Sequence, residues 1–232
     1  MNVFYAPDLT DQDQIQLNAD EARHIKALRL REGDRLQVTN GQGGLYHCTL
    51  DQLSAKSCQL LVVSREDRHR DFGLHIGIAP TKNLDRTEWM VEKCTEIGVD
   101  RISFFLTQNS ERRHLKLDRL ERVAVAAMKQ SLKAQLPRLD ALVPYEGALA
   151  QFSSEHKWIA HIQDGTTHAQ TLFAQADAQG DHAMLIGPEG GFTEDEVQMA
   201  AFHGFVCTSL GTSRLRTETA AVVACAALSH FQ

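Results

Sequence analysis

Basic residues are scarce for a chain that would grip nucleic acid indiscriminately. The sequence sets 24 Lys and Arg against 30 Asp and Glu, for a formal net charge of −6. Nonspecific nucleic-acid binders usually carry the opposite balance, so any such role must rest on a local patch. Long apolar runs are also missing: none approaches the roughly 20 residues needed to span a bilayer. The opening Met1-Asn2-Val3-Phe4-Tyr5-Ala6-Pro7-Asp8 lacks the basic n-region and apolar core of a secretory leader, so a cytoplasmic location is expected. Cysteine is sparse. Cys48, Cys58, Cys94, Cys207 and Cys225 are odd in number and widely spaced, without a C-x-x-C pair. That argues against a disulfide framework and against zinc, and for small buried thiols. His24, His161 and His203 stand alone, without metal-ligand spacing, so no metal is expected. There is no G-x-G-x-x-G, no G-x-x-x-x-G-K-[ST] and no G-x-S-x-G, which removes the warrant for a dinucleotide fold, a P-loop or a nucleophile elbow.

What is present falls into two rhythms. The chain has 232 residues, comfortable for two domains. Up to about residue 70 the segments are short and alternating. Residues 34–39 alternate polar and apolar, Asn40-Gly41-Gln42-Gly43-Gly44 is turn chemistry, and 45–50 and 57–63 read as further strands. With one short helix at 20–28, this predicts a small antiparallel sheet or barrel. Residues 64–71 are all polar and read as the linker. Beyond them strands and helices alternate. Strands are expected at 74–79, 102–106, 158–162, 184–186 and 205–210, and helices at 85–97, 117–134, 168–176 and 217–229. Another helix starts after Thr193, which forms an S/T-x-x-E capping box with Glu196. Alternation of this kind predicts a parallel sheet with helices on both faces.

Ligands of such sheets bind at the carboxyl ends of strands. Two of those ends are unusual. Ile186-Gly187-Pro188-Glu189-Gly190-Gly191-Phe192 packs three glycines and a proline into one turn, more than a plain strand-to-helix connection needs. Leu210-Gly211-Thr212-Ser213-Arg214-Leu215-Arg216-Thr217-Glu218-Thr219-Ala220 puts two arginines, a carboxylate and hydroxyls at a helix start, where anions are favoured. Simple capping by Thr217, with the arginines in solvent, is the competing reading of that second segment. In the first part of the chain Arg23, Lys26, Arg29, Arg31 and Arg35 bunch together. Asp20, Glu21, Glu32 and Asp34 sit among them, so a solvated, salt-bridged face explains them as well as a binding patch does.

Together the two turns resemble the RsmE family, the 16S rRNA uracil-N3 methyltransferases. The family pattern is I-G-P-E-G-G-[FW]-[ST]-x-x-E, met here at residues 186–196, followed by L-G-x-x-I-L-R-x-E-T-A, met at 210–220. His24-Ile25-Lys26-Ala27-Leu28-Arg29 with Gly33-Asp34, Lys93-Cys94-Thr95-Glu96-Ile97-Gly98, and Gln130-Ser131 with Pro137 agree in order. The chain departs at Ser213-Arg214, where the family usually has R-I, and at Lys133, where it often has Arg. Lysine keeps the charge but loses bidentate geometry.

The resemblance implies an α/β SPOUT fold over residues 73–232, a parallel sheet whose C-terminal segments thread a trefoil knot. It implies a PUA-like RNA-binding β-barrel domain over residues 1–70. S-adenosylmethionine would be held by Ile186, Gly187, Pro188, Gly190, Leu210, Gly211, Leu215, Thr217 and Thr219. A homodimer is implied, with the knot region and last helix at the interface. The substrate would be the uridine at position 1498 of 16S rRNA in the small subunit. N3 of uridine is mostly protonated at neutral pH and lies on the pairing edge, so the base must be unpaired or flipped. Arg216 is expected to stabilise the uracil anion or a phosphate, with a structural salt bridge as its alternative. Glu218 or Glu189 would take the proton or orient Arg216. Arg23, Lys26, Arg29, Arg31, Arg112 and Arg113 would form the RNA track. Two other functions are compatible with the chain: a noncatalytic RNA-binding protein of the ribosome, and methylation of a ribose 2′-OH in another RNA.

Overall fold

The computed structural model describes residues 3–10, 12–54, 57–68, 73–161, 172 and 180–229. The helix expected at 168–176 lies outside the described residues, apart from Leu172. No helix among the described residues is long and apolar enough to cross a membrane. The contacts divide into two compact units, residues 1–69 with Val125–Leu136, and Arg70–Ala124 with residues 137–232.

The first unit contains β1 (Val3–Tyr5), β2 (Gln14–Leu17), α1 (Ala19–Ala27), β3 (Arg35–Thr39), β4 (Gly44–Leu53) and β5 (Cys58–Asp67). They form one sheet in the order β1-β3-β4-β5-β2. Alternation in β2 and β5 turns Ile15, Leu17, Cys58 and Leu60 inward, where they meet Phe4, Ile25, Leu36 and Tyr46. Asn18 caps α1, its side chain accepting from the backbone N–H of Asp20 and Glu21. In the β3–β4 turn Asn40 Oδ1 accepts from the backbone of Gln42 at 2.8 Å and of Gly44 at 3.1 Å.

Two expectations need correction here. The sheet is not wholly antiparallel, because β1 runs parallel to β3. Residues 64–67 are not linker but the second half of β5, paired with 44–47 of β4. An all-polar stretch can be a strand when its partner supplies the ladder and both faces are wet. His47 Nε2 lies 2.8 Å from Glu66 Oε1, and the Arg65 guanidinium sits over the Tyr46 ring at 5.5 Å.

The second unit contains β6 (Leu74–Ile78), α2 (Leu84–Ile97), β7 (Arg101–Leu106), β8 (Arg138–Pro144), α4 (Tyr145–Leu149), β9 (His156–Ala160), β10 (His182–Ile186), α5 (Glu194–Phe202), β11 (Val206–Thr208) and α6 (Thr217–Ser229). The remaining helix, α3 (Leu117–Gln130), begins in this unit, and its end from Val125 belongs to the first. It stops four residues before the expected end, because Leu132 turns to a φ of 57°. The sheet order is β11-β9-β10-β6-β7-β8, and every pairing is parallel. β6 and β10 are buried along their whole length, as apolar central strands should be. Chain order runs outward from β6 to β8 and then resumes on the other side with β9 and β10. The direction therefore reverses between β6 and β10, and a reversal of this kind opens a ligand crevice at the carboxyl ends. Helix α6 leaves β11 at the sheet edge and crosses back to pack on α2, β6 and β10.

Candidate active site

Three strand-end connections meet at the reversal. The β6–α2 connection starts at Ala79, whose N–H donates to Ile186 O at 3.1 Å. The β10–α5 connection carries the Gly-Pro-Glu-Gly-Gly turn. The β7–α3 connection, of which the sequence reading took only Arg112 and Arg113, ties the other two together. Asn109 Nδ2 donates to Gly190 O at 3.3 Å and Gly191 O at 3.1 Å. Arg112 donates from Nε to Thr81 O and Lys82 O, both at 3.1 Å, and from Nη2 to Lys82 O at 2.6 Å. Lys82 N–H donates to Glu189 Oε1 at 3.1 Å.

The capping box of α5 does more than start a helix. Glu196 accepts from Thr193 N–H at 2.8 Å through Oε2 and from Gln108 N–H at 2.7 Å through Oε1. The glutamate therefore clamps the β7–α3 connection against the start of α5. Below the turn, Phe192 is buried against Tyr145 and Phe105, with ring centroids 5.6 and 6.2 Å away. Burial pushes the Tyr145 hydroxyl well above its ordinary range, so this floor stays uncharged.

The glycines leave room that side chains would fill. A Cβ at Gly187 would lie 3.0 Å from the Phe192 ring, and one at Gly190 would lie 3.0 Å from Asn109 Cβ. Gly191 has a φ of +73° and Gly211 of +118°, conformations that strain other residues. Ser209 Oγ donates to Gly211 O at 2.9 Å and accepts from Gly211 N–H at 3.2 Å, closing the second turn on itself. Gly191 and Gly211 have no atom within 4 Å of where a Cβ would stand, and both turns are held by hydrogen bonds, which suits a ligand bound through main-chain groups.

The charged candidates separate. Arg216 is exposed and makes no ion pair with Glu218 or Glu189. Glu218 is buried at the start of α6 and faces Arg86 of α2, with Arg86 Nε 3.7 Å from its Oε1. Glu189 is on the surface, its carboxylate held by the Lys82 backbone. Ile186, Pro188 and Thr217 are buried, Gly187, Leu210, Gly211, Leu215 and Thr219 partly so, and Gly190 is exposed. Of the basic residues, Lys26, Arg29, Arg31 and Arg113 are exposed, and Arg23 is exposed and paired with Asp20. Arg112 is half-buried and occupied with backbone carbonyls. Arg86 and Asn109 escaped the sequence reading. Their only sequence signal is position, just beyond the ends of buried parallel strands.

Residues 68–229 match the RNA methyltransferase domain family, and residues 17–63 match the RNA methyltransferase PUA domain. The chain belongs to the RsmE family of ribosomal RNA methyltransferases. It is 26% identical to ribosomal RNA small subunit methyltransferase E of Bacillus subtilis, across 92% of this chain and 89% of that one. A probable rRNA-methyltransferase from Porphyromonas gingivalis has a similar structure, with a TM-score of 0.88, 41% identity, and 97% and 95% of the two chains covered. Ribosomal RNA small subunit methyltransferase E from Neisseria gonorrhoeae, bound to S-adenosyl methionine, also gives a TM-score of 0.88, with 28% identity over 99% of this chain and 97% of that one. The fold of this RsmE-family chain is accordingly a SPOUT-type α/β domain with a PUA-like N-terminal domain.

Proposed function

We propose that this chain transfers the methyl group of S-adenosylmethionine to N3 of a uridine, position 1498 by the usual numbering, in 16S rRNA of the small ribosomal subunit. The observation that carries the reading is the open backbone at Gly191 and Gly211 of the two glycine-bearing turns, the first held by Asn109 and the second by Ser209. The relative bound to S-adenosyl methionine supports the choice of cofactor.

Ile186, Gly187, Pro188, Gly190, Leu210, Gly211, Leu215, Thr217 and Thr219 would hold the cofactor, largely through backbone groups. When bound, the cofactor supplies an electrophilic methyl on a sulfonium sulfur. The protein must then present an unpaired uracil, remove its N3 proton and balance the charge that results. Arg216, exposed and unpaired, is placed to stabilise the uracil anion or a neighbouring phosphate. Glu218 or Glu189 takes the proton. The PUA-like domain, residues 1–70, binds rRNA through Arg23, Lys26, Arg29 and Arg31, and the methyltransferase domain, residues 73–232, contributes Arg113. Arg112 acts by holding the β6–α2 connection. The return of α6 from the sheet edge to β6 and β10 supports a knotted C-terminal segment. A homodimer and a cytoplasmic site of action belong to the same reading.

The test is methylation of small-subunit particles with tritiated cofactor, followed by nucleoside mass spectrometry. The expected product is 3-methyluridine. A 2′-O-methyl nucleoside would replace the base reading with ribose chemistry, and binding of RNA without label transfer would leave a noncatalytic protein.

A further inference from the structure

Glu218 is held in an unusual state. Its side chain is only 8% exposed, and its Oε2 is buried with no hydrogen-bond partner among the described residues. Its nearest cation, Arg86, is 40% exposed and stands 3.7 Å from the other oxygen, too far for a hydrogen bond. A structural tie between two packed helices would close to hydrogen-bond distance and satisfy both oxygens, because a buried charge left half-satisfied is destabilising. Arg86 is out of place as well. It is the third residue of α2, in the first turn, where the helix dipole disfavours a cation. Arg86 lies in the first turn of α2 and Glu218 in the first turn of α6, two helices that each follow the carboxyl end of a sheet strand. Glu189, the other candidate base, is exposed and already accepts the Lys82 N–H.

We infer that Glu218 is the proton acceptor for uracil N3, and that Arg86 is the positioning residue that faces its Oε1 and leaves Oε2 without a partner among the described residues. The inference rests on the uridine-N3 reading given above. The N3–H bond breaks and its proton goes to Oε2. The N3 lone pair forms the new bond to the methyl carbon, while the methyl–sulfur electron pair stays on sulfur. The resulting carboxylic acid returns its proton to water once the product leaves. Arg86 touches neither base nor methyl; it acts on Glu218 alone.

A mutant cycle on the full chain tests this with small-subunit particles in single turnover, and with calorimetry for S-adenosylmethionine. E218Q should lower the methylation rate by about 100-fold or more, the usual contribution of a positioned base, with cofactor affinity unchanged. R86A should lower the rate by at least about 10-fold and R86K should recover most of it, because a cation near the carboxylate is what matters. In the E218Q background R86A should change the rate by less than about 3-fold, since non-additivity marks residues that act as one unit. Equal effects of R86A in both backgrounds, or loss of cofactor affinity in E218Q, would overturn the assignment. E218Q is isosteric and R86K conservative, so the cycle survives a failure of R86A to fold. Absence of 3-methyluridine in the parent reaction would instead sink the underlying reading, and the inference with it.

Discussion

Arg216 is exposed and has no carboxylate paired to it among the described residues, which leaves its guanidinium available for an anion. Arg216→Ala should therefore keep cofactor binding by calorimetry and lose methyl transfer by about 100- to 1000-fold, the usual cost of removing one charge-stabilising donor. Unchanged turnover would take it out of the chemistry. Asn109 makes a different prediction. Its amide donates to the carbonyls of Gly190 and Gly191, and each neutral hydrogen bond contributes about 1 kcal/mol net. Asn109→Ala should weaken S-adenosylmethionine binding by about 5- to 30-fold with little change in melting temperature. A wild-type affinity would show that the turn holds its shape unaided. Arg216 was legible in the sequence because it lies inside a motif. Asn109 was not, because an asparagine in a polar stretch looks like any turn residue until the glycine carbonyls stand opposite it.

Among the elements, α5 shows how a local signal acquires a distant partner. Thr193 and Glu196 announce the helix start from sequence, and both halves of the capping box are formed. The same Glu196 also accepts from Gln108, a residue 88 positions away. Thr193→Ala should cost about 1 kcal/mol, a cap's usual worth, whereas Glu196→Ala should cost about 2–3 kcal/mol because the charge-assisted tie to the Gln108 N–H is lost too. Chemical denaturation of the two variants checks the difference. Equal costs would mean the long-range bond contributes nothing. β5 and α3 teach the converse. Polarity alone read 64–71 as a linker, yet half of it is strand because β4 supplies the hydrogen bonds. Apolar spacing carried α3 to 134, yet the backbone breaks at Leu132.

At the scale of the molecule, a buried polar layer crosses the parallel sheet. His75 Nε2 lies 2.7 Å from Ser103 Oγ, and Ser103 donates to Asp140. Asp140 also receives Arg101 Nε at 2.6 Å and Arg138 Nε at 2.9 Å. Burial, with Arg101 nearby, pushes His75 down to about 3. Burial raises the Asp140 carboxyl, but Arg101 and Ser103 outweigh it and hold it low. Both groups bind protons more readily unfolded than folded, so both withdraw stability as pH falls. The His75 contribution is complete above its unfolded value, about 6.5, and drains away toward pH 3 at up to about 1.4 kcal/mol per unit. The Asp140 contribution follows below about pH 4. His75→Gln should flatten the stability profile between pH 6 and 4; a parallel profile would remove His75 from the titration. With a net charge of −6, RNA binding through the proposed basic bunch of the first unit has a salt signature. Replacing Arg23, Lys26, Arg29 and Arg31 by Ala should make the log-affinity against log-salt slope shallower by about 3 units, at roughly 0.7–0.9 per phosphate contact. An unaltered slope would move the RNA track elsewhere.

Composition, period and motif determined by themselves the two-part organisation, the parallel α/β character of the second part, the capping of α5 and the two glycine-bearing turns. All of these depend on contacts between residues close in sequence, or on chemistry that a short segment carries alone. Only the tertiary structure decided that the strand order reverses between β6 and β10, that Asn109 and Glu196 brace the cofactor turn, and that Glu218 faces Arg86 rather than Arg216. Each of these joins residues separated by 80 positions or more, and no local propensity encodes which strand end a chain will meet once the sheet has closed.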